Sequence, residues 1–387
     1  MNPIRIFNSI SDKGLQQIPE KFRVSTDEKN PVGILLRSHK LSESDFGNRL
    51  LAIARAGAGV NNVPVAACTE KGIVVFNTPG ANANAVKEMV IAGMLMSSRR
   101  IYNAVNDLIN YEDKTDLGAV AEKIKNKYTG PELAGKTLGI IGLGSIGVLV
   151  AKAATGLDMQ VIGYDPFVSV QNAWRIPSTV TKADDISAAL RNSDYLSVHI
   201  PLNNETKETI DAGLISRMKK GIRIMNFSRG ELVSIPDMIN ALNDGHVNTY
   251  VTDFADAALI AHPNCLCFPH LGASTPEAEE NCAVIACTSM REYLLNGVII
   301  NSVNFPEVHL DSREKYRLAV IHRNEPGMIG FISEILGKKK INITDMVNKS
   351  RKDIAYSLFD INQNVDDHTV EELQTRNGVI KVRMILR

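Results

Sequence analysis

The 387-residue chain lacks an excess of charge of either sign, with 43 Lys and Arg residues against 43 Asp and Glu residues, and only 5% of its residues are aromatic. This composition argues against the basic surfaces that bind nucleic acid or anionic membranes. No apolar run reaches the length of about 20 residues that a membrane-spanning helix needs. The N-terminal segment also lacks the apolar core of a signal peptide. We therefore expect no nucleic-acid or membrane partner and a cytoplasmic protein.

Cysteine is scarce, and the five cysteines are an odd number, which favours a reducing compartment. Cys265 and Cys267 flank one residue of a predicted strand. Because no second Cys or His pair follows at a spacing typical of metal ligands, we expect no metal site.

Three glycines stand at the centre of the most informative motif in the chain. Leu138–Ile141 is a short apolar run typical of a buried strand, and an apolar helical stretch, Val148–Ala154, follows. Between them, Gly142, Gly144 and Gly147 have the G-x-G-x-x-G spacing. This spacing allows a tight turn, a close approach of the backbone to a pyrophosphate, and close packing of helix on strand.

An acidic residue completes this motif. A second predicted strand, Gln160–Tyr164, ends at Asp165, 18 residues beyond Gly147. A carboxylate there can bind the ribose hydroxyls and would repel a 2′-phosphate. The sequence therefore predicts an NAD site rather than an NADP site.

The order of predicted elements indicates an α/β protein of two Rossmann-like domains with a smaller C-terminal α+β domain. Short strands and helices alternate before the glycine motif, and six parallel strands are predicted from Leu138 onwards. A helix from about Pro276 to Leu295 can return the chain to the first domain. The tail has a βαββαβ order, and its exposed sheet edge favours pairing with another copy.

These patterns predict the following domains: a discontinuous substrate-binding domain (1–97 and 281–303), an NAD-binding domain (98–280), a linker (304–314) and a regulatory domain (315–387).

Two residues after strands of the predicted cofactor sheet are candidates for chemistry. His270 follows the last strand, and histidine is the natural proton acceptor near neutral pH. Arg229 follows another strand, where its guanidinium could hold a carboxylate. Each has an alternative interpretation, as a structural loop histidine and as a surface arginine before a turn.

The first domain has a candidate anion-binding segment, which also follows a predicted strand. The segment Arg55–Asn62 contains two glycines whose backbone N–H groups could face an anion, and Arg37 follows a neighbouring strand. The alternative is a tight turn flanked by solvated arginines.

Five motifs in this order resemble the D-isomer-specific 2-hydroxyacid dehydrogenase family. They begin at Arg55 (RAGAGVNN), Asn77 (NTPGAN), Gly142 (GLGSIG), Ser228 (SRG) and Pro269 (PHLGAST). The tail resembles an ACT regulatory module. The resemblance implies NAD as cofactor and a homodimer or homotetramer.

The resemblance also implies roles for individual residues. His270 is expected to be the acid/base, and Arg229 to bind the substrate carboxylate and the C2 oxygen. Cofactor contacts are expected from Gly142, Gly144, Ser145, Ile146, Gly147, Asp165, His199, Pro201, Thr206, Ser228, Asp253 and Gly272. Substrate contacts are expected from Arg37, Arg55, Ala56, Gly57, Ala58 and Lys125. Serine, as an effector, is expected to bind His322, Asn324 and Asn342; alternatively, Asn324 caps the helix that follows.

The chain departs from the family pattern at one place. The family usually has a glutamate that pairs with the histidine, and none stands in the stretch that follows Asp253. A nearby carboxylate favours imidazolium, so its loss should lower the pKa of the histidine. Asp256 is a candidate replacement.

The activity implied by the resemblance is oxidation of 3-phosphoglycerate to 3-phosphohydroxypyruvate, the first step of serine synthesis, with feedback inhibition by serine. Two alternatives remain open: a dehydrogenase for glyoxylate, hydroxypyruvate or another 2-keto acid, and a catalytically silent NAD-sensing regulator of the same fold.

Overall fold

The computed structural model describes residues 2–112, 114–311 and 314–386. It divides into a first unit, Met1–Asn82 with Pro276–Arg387, and a second unit, Ala83–Thr275. Ser312 and Arg313 of the predicted linker, like Met1, Asp113 and Arg387, lie outside the described residues. The domain boundaries given above stay a prediction, because the two units group the C-terminal segment with the first one.

The first unit begins with a five-stranded parallel sheet. Its elements are β1 (Asn2–Ile6), α1 (Asp12–Leu15), β2 (Phe22–Ser25), β3 (Gly33–Leu36), β4 (Ala52–Arg55), α2 (Val65–Glu70) and β5 (Val74–Phe76), with a 3₁₀ turn at Glu43–Asp45. The strand order is β2-β1-β3-β4-β5. The central strand β3 is buried throughout, as its continuous apolar sequence requires.

The second unit contains a seven-stranded parallel sheet. Helices α3 (Ala83–Ser98), α4 (Ile101–Ile109) and α5 (Leu117–Lys125) precede it. The sheet region comprises β6 (Thr137–Ile141), α6 (Ser145–Thr155), β7 (Gln160–Tyr164), α7 (Val170–Ala173), β8 (Thr181–Lys182), α8 (Ile186–Leu190), β9 (Tyr195–Val198), α9 (Ala212–Ile215), β10 (Ile222–Asn226), α10 (Ile235–Asn243), β11 (Val247–Thr252), α11 (Ala257–Ala261) and β12 (Cys265–Cys267). Further 3₁₀ turns lie at Asn126–Tyr128 and Gly230–Leu232.

The strand order of this sheet is β12-β11-β10-β9-β6-β7-β8. The order reverses between β6 and β9, and ligands of open α/β sheets bind at the carboxyl ends of the strands beside such a reversal. The six strands predicted from the sequence are present, and the two-residue β8 is an addition.

The sequence indicates one long helix over residues 85–109, but the structure breaks it into α3 and α4. Arg100 adopts a left-handed backbone conformation with φ of 48°. At the end of α3, the Ser97 carbonyl accepts a hydrogen bond from Arg223 Nε (3.3 Å). This side chain provides a partner for a carbonyl that a helix end leaves unpaired.

The chain returns to the first unit through α12 (Pro276–Asn296) and then forms the C-terminal sheet. Its elements are β13 (Tyr316–Arg323), α13 (Met328–Lys338), β14 (Ile343–Arg351), β15 (Ile354–Ile361), α14 (Asp367–Gln374) and β16 (Val379–Leu386). The strands are antiparallel in the order β14-β15-β13-β16. The predicted βαββαβ order and the α/β fold class are confirmed.

Both faces of the C-terminal sheet are covered. Leu318 and Val320 of β13 pack with buried residues of α13 and α14. Ala319 and Ile321, which alternate with them, belong to the core cluster that includes Met290 of α12. The C-terminal sheet is therefore part of the core of the first unit rather than a tethered appendage.

The segment between α12 and the C-terminal sheet is packed against the first sheet. Phe305 and Val308 are completely buried. The Asn304 side chain accepts from Val75 N (2.9 Å) and donates to Ile73 O (2.9 Å). These contacts fix the start of the segment that the sequence indicates as a linker.

Candidate active site

The glycine turn after β6 is shaped as its spacing predicts. Gly142 has φ of 93°, and a Cβ on it would lie 2.6 Å from His199 O. A Cβ on Gly147 would lie 2.0 Å from Gly142 O, so α6 packs on the turn at a distance that only glycine allows.

Gly144 differs from these two glycines because it faces open space. A Cβ on Gly144 would meet no atom within 4 Å. Gly144 is the N-cap residue of the eleven-residue helix α6, and no side chain caps the N-terminus of this helix. The N–H groups of Ser145 and Ile146 lie in the first turn of this helix, where an anion is stabilised by the helix dipole. The residues present thus fit a pyrophosphate at this turn.

Asp165 holds the turn from the end of β7. Its Oδ2 accepts from Leu143 N (2.8 Å) and its Oδ1 from Phe167 N (2.8 Å). A carboxylate oxygen can accept a second hydrogen bond, so Asp165 is both anchored and able to receive ribose hydroxyls.

Three residues predicted to contact the cofactor follow β9: His199, Pro201 and Thr206. Burial lowers the pKa of His199 to about 3, so its imidazole is neutral. Nε2 bonds to Ser197 Oγ (2.8 Å), and Nδ1 is buried without a hydrogen-bond partner in the described structure. Thr206 Oγ1 donates to Pro201 O (2.6 Å), which closes the turn after the strand.

Arg229 follows β10 in a loop that is fixed by hydrogen bonds. Asn226 Nδ2 donates to Arg229 O (2.9 Å), and Ser228 Oγ donates to Val198 O (2.7 Å). The guanidinium donates from one terminal nitrogen to Ser228 O (2.6 Å), which leaves its other N–H groups for a carboxylate.

Asp253 follows β11 and is 2% exposed. Its Oδ2 accepts from Gly272 N (2.9 Å), whereas its Oδ1 is buried and has no hydrogen-bond partner among the described residues. A buried carboxylate oxygen without a donor is costly. A carboxamide N–H of a nicotinamide is a donor of the kind that Oδ1 lacks, so this atom also fits NAD.

His270 follows β12 and is exposed. Its ring contacts Phe254 edge to face, with the ring centroids 5.2 Å apart. Asp256, the candidate carboxylate partner, has another role, because its Oδ1 caps α11 by accepting from Ala258 N (2.8 Å) and Leu259 N (3.4 Å).

The register of the sheet brings three of these groups to one edge. Strands β10, β11 and β12 are adjacent and parallel, with Asn226 opposite Thr252 and Thr252 opposite Cys267. Arg229, Asp253 and His270 each follow one of these strands, at neighbouring carboxyl ends.

The first unit brings the predicted phosphate residues Arg37 and Arg55 together. Arg55 Nε donates to Arg37 O (3.0 Å), and Arg37 forms an ion pair with Glu279 (2.6 Å). The Arg37 loop is held by Asn8 Oδ1, which accepts from His39 N (2.8 Å), and by Asn62 Nδ2, which donates to Arg37 O (3.1 Å).

The loop of Ala56, Gly57 and Ala58 follows β4. Gly57 has φ of 149°, and a Cβ on it would lie 2.1 Å from a terminal nitrogen of Arg55. The Ala56 N–H already donates to Leu36 O (2.8 Å). In the described structure, the donors that this loop leaves for a carboxylate are therefore the N–H groups of Gly57 and Ala58.

Lys125 belongs to the second unit, where it ends α5 and forms an ion pair with Glu122. Its role in substrate binding stays a prediction.

The three predicted effector residues do not meet within one chain. His322 is opposite Ala355 in the sheet, near the Arg351–Ile354 end of the β14–β15 hairpin. Asn342 precedes Ile343 at the other end of β14, and the nine residues of β14 span roughly 25 Å at the usual rise of a strand.

Asn324 lies beside His322, at the same end of the sheet. Its side chain donates to Lys352 O (3.4 Å), and its N–H to Asp353 O (2.9 Å). Both ring nitrogens of His322 are bonded, to Arg323 O (2.7 Å) and Ser357 Oγ (2.9 Å), and burial lowers the pKa of His322.

Within 2–112, 114–311 and 314–386, no helix is long and apolar enough to cross a membrane. The same residues contain no cluster of three or more His, Cys, Asp or Glu that could hold a metal ion.

Comparison with known proteins defines the class. Residues 91–272 match the family model described as D-isomer specific 2-hydroxyacid dehydrogenase, NAD binding domain. The fold is also similar to a crystal structure of NAD⁺-bound 3-phosphoglycerate dehydrogenase from Entamoeba histolytica. The TM-score is 0.61 with 26% identity, over 78% of this chain and 98% of the other. The chain is an NAD-dependent oxidoreductase of the D-2-hydroxyacid class.

Two curated relatives narrow this class. D-3-phosphoglycerate dehydrogenase of Escherichia coli is 30% identical over 95% of this chain and 89% of its own length. The protein of the same name from Dictyostelium discoideum is 31% identical over 87% of this chain and 82% of its own. The chain belongs to the D-3-phosphoglycerate dehydrogenase family.

Sequence reasoning missed the residues that support the site. Asn8 and Asn62 hold the Arg37 loop, and Asn226 holds the Arg229 loop. Asn226 gives a signal in the sequence because it stands at the end of a predicted strand next to the Ser-Arg-Gly motif, and Asn62 because it ends the Arg55–Asn62 motif. Asn8 is far from Arg37 along the chain, and no local pattern relates the two residues.

Proposed function

We propose that this protein oxidises the C2 hydroxyl of D-3-phosphoglycerate to the ketone of 3-phosphohydroxypyruvate. That is the first step of serine synthesis. The observation that carries the proposal is the placement of Arg229, Asp253 and His270 at three adjacent strand ends of the NAD-binding sheet. A second observation supports the proposal: in the first unit, Arg55 donates a hydrogen bond to the Arg37 carbonyl, which brings these two cationic residues together.

Each residue has a separate task in this reaction. NAD, when bound, would supply the acceptor for the hydride that leaves C2. A nitrogen of the His270 imidazole accepts the hydroxyl proton, and the Arg229 guanidinium holds the carboxylate and polarises the C2 oxygen. The N–H groups of Gly57 and Ala58 are further donors of the kind that a carboxylate needs.

Selection of a phosphorylated substrate is assigned to Arg37 and Arg55. A guanidinium matches a phosphate bidentately, and an acid of the same carbon skeleton without phosphate leaves the two cations without that partner. Glu279 pairs with Arg37 and keeps its side chain in place until a phosphate competes for it.

The test of this assignment compares D-3-phosphoglycerate with D-glycerate in Arg37→Ala and in the wild-type enzyme. We expect kcat/KM for the phosphorylated acid to fall by about ten-fold or more in the variant, since a hydrogen bond to a charged group is worth ~1.5–3 kcal/mol. The value for D-glycerate should change little. Equal losses on both substrates would remove Arg37 from phosphate recognition.

We propose that the enzyme is a homodimer or a homotetramer and that one interface is formed by α3, α4 and α5. These helices expose a series of large apolar side chains: Leu95, Ile101, Tyr102, Val105, Ile109 and Leu117. Large apolar side chains exposed together on neighbouring helices are typical of a subunit interface. Light scattering of Val105→Glu tests this interface, and an unchanged mass would exclude it.

A second copy also explains the separation of the predicted serine ligands. Strand β14 is an exposed edge strand, with Met346 39% exposed near its middle. Antiparallel pairing of two copies of β14 about this middle places Asn342 of one copy beside Lys352 of the other, whose carbonyl Asn324 contacts. We propose that serine binds there, between Asn324 of one copy and Asn342 of the next.

His322 differs from the two asparagines because both of its ring nitrogens are hydrogen-bonded inside the sheet. We therefore propose that His322 orients the Asn324 loop, in addition to its predicted contact with serine.

We also propose a cytoplasmic location, which the free thiols of all five cysteines support.

A further inference from the structure

A cavity of about 450 Å³ lies in the first unit between the first parallel sheet and β16. From the first sheet it is lined by Asn2 and Phe22, the first residues of β1 and β2, and by Leu51, which precedes β4. The cavity is thus at the amino ends of these strands. Arg37 and Arg55 are at the carboxyl ends, so the cavity is distinct from the substrate site.

The charged side chains around this cavity are cationic. Lys21, Arg49 and Arg383 line it, and no acidic residue among the described ones does. None of the three forms an ion pair with an Asp or Glu side chain of the described residues, although Arg49 donates to Asn2 Oδ1 (3.1 Å). Three cations without an acidic neighbour give the cavity a positive potential in a chain of zero net charge.

Arg383 is the best anchored of these cations. One terminal nitrogen donates to Tyr293 O (2.6 Å), and the guanidinium lies over the Tyr293 ring at 4.5 Å. Its Nε is buried and has no hydrogen-bond acceptor in the described part of the chain. A buried donor without an acceptor favours the arrival of a ligand that supplies one.

The remaining wall of the cavity is apolar. Leu294 and Leu295 of α12 and Phe22 of β2 contribute to it. Concave sites that combine an apolar wall with a few charged groups bind small molecules that have both features.

We propose that this cavity is a binding site for a small organic anion with an apolar segment, of the aliphatic monocarboxylate class. The carboxylate lies among Lys21, Arg49 and Arg383, and the hydrocarbon part lies against the leucines of α12. Because β16 belongs to the C-terminal sheet, the ligand contacts both this sheet and the first sheet and stabilises their packing.

The test uses titration calorimetry of the full-length protein with three probes: sodium octanoate, octanol and inorganic phosphate. Octanoate should bind at one site per chain, phosphate more weakly because it lacks the apolar segment, and octanol more weakly because it lacks the charge. Octanoate should also raise the unfolding temperature of the protein, because it binds only the folded state.

Charge-neutral variants locate the site. In the double variant Lys21→Gln/Arg49→Gln, the dissociation constant for octanoate should increase by about ten-fold or more. Arg23→Gln is the matched control, since Arg23 lies on β2 next to Phe22 but pairs with Glu28 (2.6 Å) and does not line the cavity. Absence of octanoate binding, equal binding of octanol, or an equal loss in the control would overturn the proposal.

Discussion

At the scale of single residues, the site shows carboxylates that support the backbone as well as the ligand. Asp165 and Asp253 each hold a backbone N–H of a ligand loop, at Leu143 and at Gly272, and Asp256 caps a helix. Asp256 caps α11 through its Oδ1, and its pairing with His270 in place of the expected glutamate stays a prediction. The ring of His270 contacts Phe254 edge to face.

Replacement of either His270 or Arg229 by alanine should abolish most activity. We expect kcat/KM to fall by about 10²–10⁴-fold, because one variant loses the proton acceptor and the other the partner of the carboxylate. NADH binding, measured by fluorescence titration, should remain close to that of the wild type. Wild-type turnover in either variant would contradict the assignment.

His199 predicts a loss of stability in acid. Its pKa in the folded state is about 3, below the ordinary value of 6.5, so the unfolded state binds more protons between these two values. The contribution of the neutral imidazole is complete above pH ~6.5 and is lost as the pH falls towards 3. Urea unfolding at several pH values should show a shallower decline for His199→Gln than for the wild type; parallel curves would contradict this account.

At the scale of elements, the glycine turn was predictable from the sequence in detail, because the need for glycine at each position follows from the sterics of the turn itself. The βαββαβ order of the C-terminal elements and the return of the chain through α12 also followed from the pattern of elements. The contact of Arg223 with the end of α3 was not predictable, since Arg223 is more than 120 residues away in the sequence. The hydrogen bonds of Asn8 and Asn62 to the Arg37 loop also join residues that are far apart in the chain.

Two glycine variants separate packing from cofactor binding. Gly147→Ala places a methyl group 2.0 Å from Gly142 O and should destabilise the protein by ~1–3 kcal/mol. Gly144→Ala meets no protein atom within 4 Å and should unfold like the wild type, but its methyl group occupies space needed by the pyrophosphate. Calorimetry should show weaker NAD binding for this variant; unchanged NAD affinity would place the pyrophosphate elsewhere.

The proposed β14 pairing predicts complementation between two inactive effector sites. Serine should inhibit neither Asn324→Ala nor Asn342→Ala at concentrations that inhibit the wild type. Mixed oligomers of the two variants should regain partial inhibition, because one of the two shared sites then has both asparagines. Inhibition assays on co-expressed variants test this, and a lack of recovery would exclude a shared site.

At the scale of the whole molecule, the C-terminal sheet is joined to the rest of the first unit through Arg317 of β13, which a buried ion pair with Asp360 of β15 holds in place. Arg317 and Asp360 are completely buried and 2.6 Å apart, and Arg317 also donates to Asn296 O and Leu310 O. Deleting the C-terminal residues would therefore expose the apolar side of α12. Point variants are better tests of regulation than truncation.

Arg317→Met should destabilise the protein by ~3–5 kcal/mol, since it leaves the Asp360 carboxylate buried without its partner. The double variant Arg317→Met/Asp360→Leu should recover much of this loss. Chemical unfolding measures both, and an equal loss in the two variants would show that the ion pair is not the cause.

Oxidation of a phosphorylated D-2-hydroxy acid with NAD is tested most directly by the substrate preference of the purified wild-type protein. NADH or NADPH formation should be compared for D-3-phosphoglycerate, D-glycerate and glycolate, each with NAD and with NADP. We expect the highest kcat/KM for D-3-phosphoglycerate with NAD. Preference for an unphosphorylated acid would contradict the roles of Arg37 and Arg55, and no turnover of any acid would contradict the assignment of His270 and Arg229.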